Sequence, residues 1–210
     1  MFMNKRAFLI SFEGIEGTGK STQCKYLEQY LKDKRVKTAV FREPGTSVVG
    51  EAIRNILLHS KTQLTHFCEA MLFIAARAQL VEEQIKSNLY KKDIIILDRY
   101  IDATMAYQGY GDGVELELIE QLNKRAVNNL MPDLTILLDI SPEIGLKRCI
   151  GNDRFEEREL IFHQKVRQGY LKLAKNNSKR IQIVSAAQDI QAVRSALINI
   201  VNNAFNYSTR

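Results

Sequence analysis

Cysteine is scarce and follows no pattern. Three thiols, Cys24, Cys68 and Cys149, are scattered over 210 residues with no C-x-x-C pair, so neither a disulfide frame nor a thiolate zinc site is indicated, and they read as reduced thiols of a cytoplasmic protein. Long hydrophobic runs are also missing. The start, Met1 to Arg6, carries two cations, but the apolar run behind it ends at Glu13 after about six residues, too short for the core of a secretory signal. Nothing approaches the ~20 apolar residues that a membrane span requires, so no membrane partner is expected. No proline- or serine-rich stretch divides the chain, and residues 1–210 read as one domain whose 45% hydrophobic content can fill one core. Blocks of like charge are absent too. The net charge is +6, yet Lys and Arg alternate with Asp and Glu along the whole length, which argues against nucleic acid and suits a small anionic substrate.

Against these absences stands one strong pattern. Gly14-Ile15-Glu16-Gly17-Thr18-Gly19-Lys20-Ser21 completes G-x-x-x-x-G-K-[ST], behind an apolar run from Ala7 to Phe12 and ahead of Cys24, Leu27 and Leu31 at helical spacing. Strand, glycine turn and helix form the context in which this motif cradles phosphates. Glycines let backbone N–H groups converge, and the N-terminus of the next helix adds partial positive charge at the same point. A triphosphate is the natural guest. Lys20 would reach its outer phosphates and the Ser21 hydroxyl would meet the accompanying Mg²⁺.

Further buried-strand runs recur at Thr38 to Phe41, Ile94 to Leu97, Leu134 to Leu138 and Ile181 to Val184, alternating with amphipathic helices. The fold class read from this is α/β: a five-stranded parallel sheet covered by helices on both faces. Glu13-Gly14, Arg42-Glu43, Asp98-Arg99 and Asp139 stand at the carboxyl ends of these strands, where such sheets bind ligands. Within the helix expected from Phe67 to Tyr90, the residues Phe67, Met71, Ile74, Ala78, Val81 and Ile85 define a buried stripe. Phe73 and Arg77 share a face off that stripe, so they are either a base-stacking ring with a phosphate-holding cation or an aromatic at the core margin beside a surface arginine. Asp98-Arg99 is either a structural pair or the place where a Mg²⁺-bound water and a transferring phosphoryl group are met. Tyr107-Gln108-Gly109-Tyr110-Gly111-Asp112-Gly113 reads as a glycine loop, plain or closing over a flat ligand. The polar stretch Gly151 to Arg158 is either a solvated turn or a mobile flap.

Taken in order, Phe12-Glu13-Gly14-Ile15-Glu16-Gly17, Arg42-Glu43-Pro44-Gly45, Phe73 with Arg77, Asp98-Arg99-Tyr100 and Ala106-Tyr107-Gln108-Gly109 resemble the thymidylate kinase family, which phosphorylates dTMP to dTDP. The likeness runs over nearly the whole chain. It implies a P-loop kinase fold, ATP with Mg²⁺, a dTMP acceptor, and a homodimer. Gly14, Ile15, Glu16, Gly17, Thr18, Gly19, Lys20, Ser21 and Thr22 match the ATP site, with Ser21 and, through a water, Asp98 on the metal. Glu16, Arg42, Pro44, Phe73, Arg77, Arg99, Thr104, Tyr107 and Gln108 match the dTMP site, with Phe73 stacking on thymine and Tyr107 crowding the 2′ position of the sugar. Lys20, Asp98, Arg99 and the lid arginines Arg148 and Arg154, in a lid at about 148–158, match the catalytic groups; Gly17 stands where some family members carry an arginine. Two positions depart from the family: Gly45-Thr46-Ser47-Val48 replaces Gly-Gly-Thr-Pro, and Ala103 stands where serine is common.

Two rival readings are weighed by particular residues. A nucleoside kinase has no need of a cation for an acceptor phosphate, which Arg77 would supply. A guanine-nucleotide switch normally carries N-K-x-D, and Asn123-Lys124-Arg125-Ala126 lacks the Asp.

Overall fold

The computed structural model describes residues 6–59, 63–149 and 154–205. Five strands, β1 (Phe8–Glu13), β2 (Thr38–Arg42), β3 (Ile94–Asp98), β4 (Leu134–Asp139) and β5 (Ile181–Ser185), form one sheet in the order β2-β3-β1-β4-β5. All pairings are parallel, with Phe12 opposite Asp98 and Ile136, so the carboxyl ends of the three central strands are level. Each expected strand is present, its ends within a residue or so of where the apolar runs stop.

Central strands of this kind are buried on both faces, which is why Ile94-Ile95-Ile96-Leu97 is an unbroken β-branched and aliphatic run rather than an alternating one. Successive side chains feed opposite layers. Ile10, Phe12, Ile94 and Ile96 join the larger core, with Leu27 and Leu31 of α1 (Lys20–Asp33) and Leu197 and Val201 of the last helix. Leu9, Ile95 and Leu97 turn the other way, onto Leu80, Val81 and Ile85. Fully burying one such side chain stabilises by roughly 1.5–3 kcal/mol.

After β2 come α2 (Val48–His59) and α3 (His66–Leu80); α3 continues through a π-helical turn, Val81–Ile85, into Lys86–Asn88. The expected helix is there, and of the stripe read for it Ile74, Val81 and Ile85 are buried, but its first two members are not. Phe67 is 50% and Met71 37% exposed, while Ala70, Ile74, Ala76, Arg77 and Leu80 face inward. Toward α2, Ala76 packs with Ile53 and Leu57, and Leu72 and Phe73 border the same cluster. Ile101–Thr104, here α4, runs into π-helical Met105–Gly111. Tyr107 to Gly111 is therefore helical and largely buried, not a loop. Its glycines serve close packing: a Cβ on Gly111 would come 2.6 Å from Phe162. The remaining helices are α5 (Leu116–Ala126), α6 (Pro142–Lys147), α7 (Leu160–Asn176) and α8 (Ile190–Ala204). No helix among the described residues is long and apolar enough to cross a membrane.

Candidate active site

The loop between β1 and α1 is shaped by its glycines. Gly14, Gly17 and Gly19 have φ of 140°, 69° and 83°, a region that L side chains rarely adopt. A Cβ on Gly14 or Gly17 would also strike backbone, at Leu138 and Gly145 respectively. Gly19 precedes α1 without any side-chain cap, so the first N–H groups of that helix are left for a ligand. Lys20 closes the ring, its Nζ donating to the carbonyls of Gly14 at 3.0 Å and Ile15 at 2.7 Å. Burial and the neighbouring Arg99 cation depress the Lys20 ammonium to about 8, against the pull of Glu16, Asp98 and Glu13. Such an ammonium is poised for an anion. Thr22 is exposed on the first turn of α1, away from the cavity wall.

Beside this ring, Ser21 Oγ donates to Asp98 Oδ2 at 2.5 Å. Among the described residues no group of three or more His, Cys, Asp or Glu side chains could hold a metal alone. Two adjacent hard oxygens fit Mg²⁺ only as part of a shell completed by phosphates and water, which is how that ion is usually bound.

Arg99 has φ of 71°, a strained conformation for a residue with a side chain, costing about 1–3 kcal/mol. The bend turns its guanidinium back over the loop, where it donates to Gly14 O at 3.2 Å, Glu16 Oε1 at 3.1 Å, Tyr107 Oη at 3.0 Å and Tyr170 Oη at 3.3 Å. Glu16 also accepts from the Tyr107 hydroxyl at 2.5 Å. Burial would raise the carboxyl of Glu16, but His163, Arg99, Lys20 and Tyr107 outweigh it and hold the group down to about 2. Behind Arg99 lies Glu13, wholly buried and accepting from Tyr170 Oη at 2.9 Å and Tyr100 N at 2.7 Å. Desolvation, with Asp102 adding to it, pushes Glu13 up to about 8.

Lys20, Ser21, Asp98, Arg99 and Glu16 share a cavity of about 240 Å³ with Arg42, Pro44, Phe73, Thr104, Tyr107 and Gln108. The structure thus brings most of the two expected residue sets together. Ala103 lies on the same wall. The departing turn is self-contained: Thr46 Oγ1 accepts from Arg42 N and donates to Arg42 O, while Glu51 accepts from Thr46 N and from the Arg42 guanidinium.

Three arginines stand elsewhere than the sequence reading put them. Arg77 is 1% exposed and does not line the cavity. Its Nε donates to Glu43 at 2.7 Å, Nη1 to Thr104 at 2.9 Å and to Asn123, and Nη2 to Tyr100 O at 2.9 Å. The long side chain lets a residue on the inner face of α3 pass under the cavity floor, so it acts on the site through Glu43 and Thr104. Arg148 donates to Ala186 O at 2.9 Å, just after β5, and Arg154 is tied to Glu69. Neither lines the cavity. Residues 150–153 of the expected lid, Asp153 included, lie outside the described residues.

Sequence reading missed Arg54 and Phe155, both on the cavity wall. Arg54 donates to Pro44 O at 3.0 Å and gave only the signal of a cation within an amphipathic helix. Phe155 packs against Phe73 and Tyr107, with ring centroids 5.8 and 6.0 Å apart; nothing but its place in the lid stretch pointed to it. His163 was missed as well. It is fully buried with Nδ1 3.2 Å from Glu16.

Comparison with known proteins supplies independent evidence. The family model described as Thymidylate kinase matches residues 12–197. A thymidylate kinase of Geotalea daltonii is 46% identical over 208 residues, covering 94% of this chain and 97% of that protein. One from Maridesulfovibrio salexigens is 47% identical over 190 residues, covering 85% and 88%. Among solved structures, thymidylate kinase from Ehrlichia chaffeensis superimposes with a TM-score of 0.78 at 33% identity, covering 93% of this chain and 98% of that one.

Proposed function

The chain belongs to the thymidylate kinase family, which transfers phosphoryl from ATP to dTMP, and from the geometry of its cavity we propose how its residues carry out that transfer. The carrying observation is that the glycine loop with Lys20 and the pocket of Phe73, Thr104 and Gln108 open into one cavity, with Arg99 and Glu16 between them.

Phosphoryl transfer demands positioning and charge neutralisation more than covalent chemistry. The loop from Gly14 to Ser21 holds the ATP phosphates on backbone N–H groups, and Lys20 moves from its carbonyl ring to the outer phosphates. Ser21 and, through a water, Asp98 would hold Mg²⁺, which when bound would neutralise charge on the phosphate oxygens. On the other side Phe73 stacks on the base, Thr104 and Gln108 meet its edge, and Tyr107 packs against the sugar. Arg99, Arg42 and Arg54 hold the acceptor phosphate, whose oxygen already carries the charge needed to attack. Arg77 supports this wall from behind. Arg154, released from Glu69, is the lid cation that reaches the transferred group.

Two further features belong to the same proposal. Val48, Val49 and Ile56 of α2, with Phe67 and Met71 of α3, are exposed apolar side chains on two helices that pack together; they support a homodimer built on this face. Three free cysteines and nucleotide substrates support a cytoplasmic location. A coupled assay of ADP release with a panel of nucleoside monophosphates tests the acceptor: dTMP should give the highest kcat/KM, and a higher value for a purine monophosphate refutes the assignment.

A further inference from the structure

Glu69 lies on the first turn of α3, is 3% exposed, and touches no loop of the phosphate cradle. One of its oxygens, Oε1, accepts a hydrogen bond from Gln108 Nε2 at 2.9 Å. The other, Oε2, pairs with Arg154 of the lid. Burial raises the Glu69 carboxyl, while Gln108 and Arg154 pull it back.

The bond to Gln108 has a chemical consequence. A glutamine amide has a donor end and an acceptor end, and either can face a ligand. The bond to Glu69 takes one of the two Nε2 hydrogens and fixes which end of the amide is turned away, so that with Gln108 on the cavity wall its carbonyl oxygen is the end left to meet a ligand. An acceptor there matches the N3–H of a thymine or uracil ring. It opposes cytosine, whose N3 is itself an acceptor, and a buried polar atom left without a partner penalises the wrong ligand heavily.

We propose that Glu69 is a positioning residue that sets base selectivity, by locking the Gln108 amide with its oxygen toward the acceptor base. This rests on the dTMP reading of the cavity. Because the same carboxylate holds Arg154, the lid cation rests on the residue that orients the base reader.

The test compares kcat/KM for dTMP with that for dCMP. Glu69→Leu removes the acceptor and frees the amide to rotate, so the dTMP-to-dCMP ratio should fall at least about tenfold. Gln108→Met should lower the ratio similarly, and the double variant should fall no further than either single one, since Glu69 acts through Gln108. A structural role alone would depress both substrates equally and leave the ratio unmoved, which overturns the inference. The isosteric exchange of Glu69→Gln with Gln108→Glu keeps both the hydrogen bond and an acceptor facing the base, and guards against misfolding of the leucine variant. A folded exchange variant that has lost its preference for dTMP also overturns the inference. If the unaltered enzyme is inert toward dTMP, the acceptor reading fails and takes this inference with it; an active enzyme whose ratio ignores Glu69 sinks this inference alone.

Discussion

Arg77 Nε donates to Glu43 Oε2 at 2.7 Å with both side chains almost wholly out of water. Burial pushes the Glu43 carboxyl up to about 7, against the attraction of Arg77, so each charge depends on the other. Removing one leaves its partner buried and uncompensated. Arg77→Ala should therefore lose about 3–5 kcal/mol of stability, a drop of roughly 10 °C in Tm for a chain of this size. It should also raise KM for dTMP, because Thr104 loses its support. Replacing both residues by Met should recover most of the lost stability. Thermal denaturation of the three variants checks this, and a double variant no more stable than Arg77→Ala refutes the account.

Lys20 is the second case. Its ammonium is depressed to about 8 in the unliganded site, and an adjacent triphosphate favours the charged form. Binding of ATP near pH 8 should therefore take up a fraction of a proton. Calorimetry in two buffers of different ionisation enthalpy reads that uptake directly, and Lys20→Met should abolish it while weakening binding.

Glu13 makes stability depend on pH. Its carboxyl is raised from 4.5 to about 8 in the folded protein, so between those values the folded state binds more protons than the unfolded one. Its contribution is fully present below about 4.5 and is lost as pH rises through 8. Glu43 acts in the same direction over the lower part of that window, whereas the depressed Glu16 acts only below 4.5. Glu13→Gln should flatten the decline of Tm between pH 5 and 8. An unchanged slope would mean that Glu13 is ionised throughout.

Phe155 ties the lid to the acceptor pocket through Phe73 and Tyr107. Truncating it to Ala should let water reach the bound ATP, because a closed lid is what suppresses hydrolysis. ADP release without dTMP should rise relative to the rate with dTMP, and KM for dTMP should rise as well. An idle rate equal to that of the unaltered enzyme would remove Phe155 from the closure.

The sheet and the phosphate loop were legible because their signals are local. Ile94-Ile95-Ile96-Leu97 declares a strand buried on both faces, and Gly14 to Ser21 must adopt backbone angles and close approaches that only glycine permits. The acceptor side was legible only in outline. Phe73, Thr104, Tyr107 and Gln108, which a resemblance of motifs rather than their spacing singled out, line one cavity. The stripe on the third helix was legible in part: Ile74, Val81 and Ile85 are buried as their spacing suggested, whereas Phe67 and Met71 stand exposed and the small Ala76, which gives little signal in a hydrophobic pattern, packs on Ile53 and Leu57 of α2.

The sequence by itself determined a parallel α/β sheet, a phosphate cradle and the side of the sheet on which the chemistry collects, since each follows from strand burial or backbone freedom within a few residues. Only the tertiary structure decided what the charged side chains do. Arg77, Arg154, Glu13, Glu43 and Glu69 find hydrogen-bond partners 23 to 157 positions away, and whether a guanidinium meets substrate or a buried carboxylate depends on packing that no local pattern encodes.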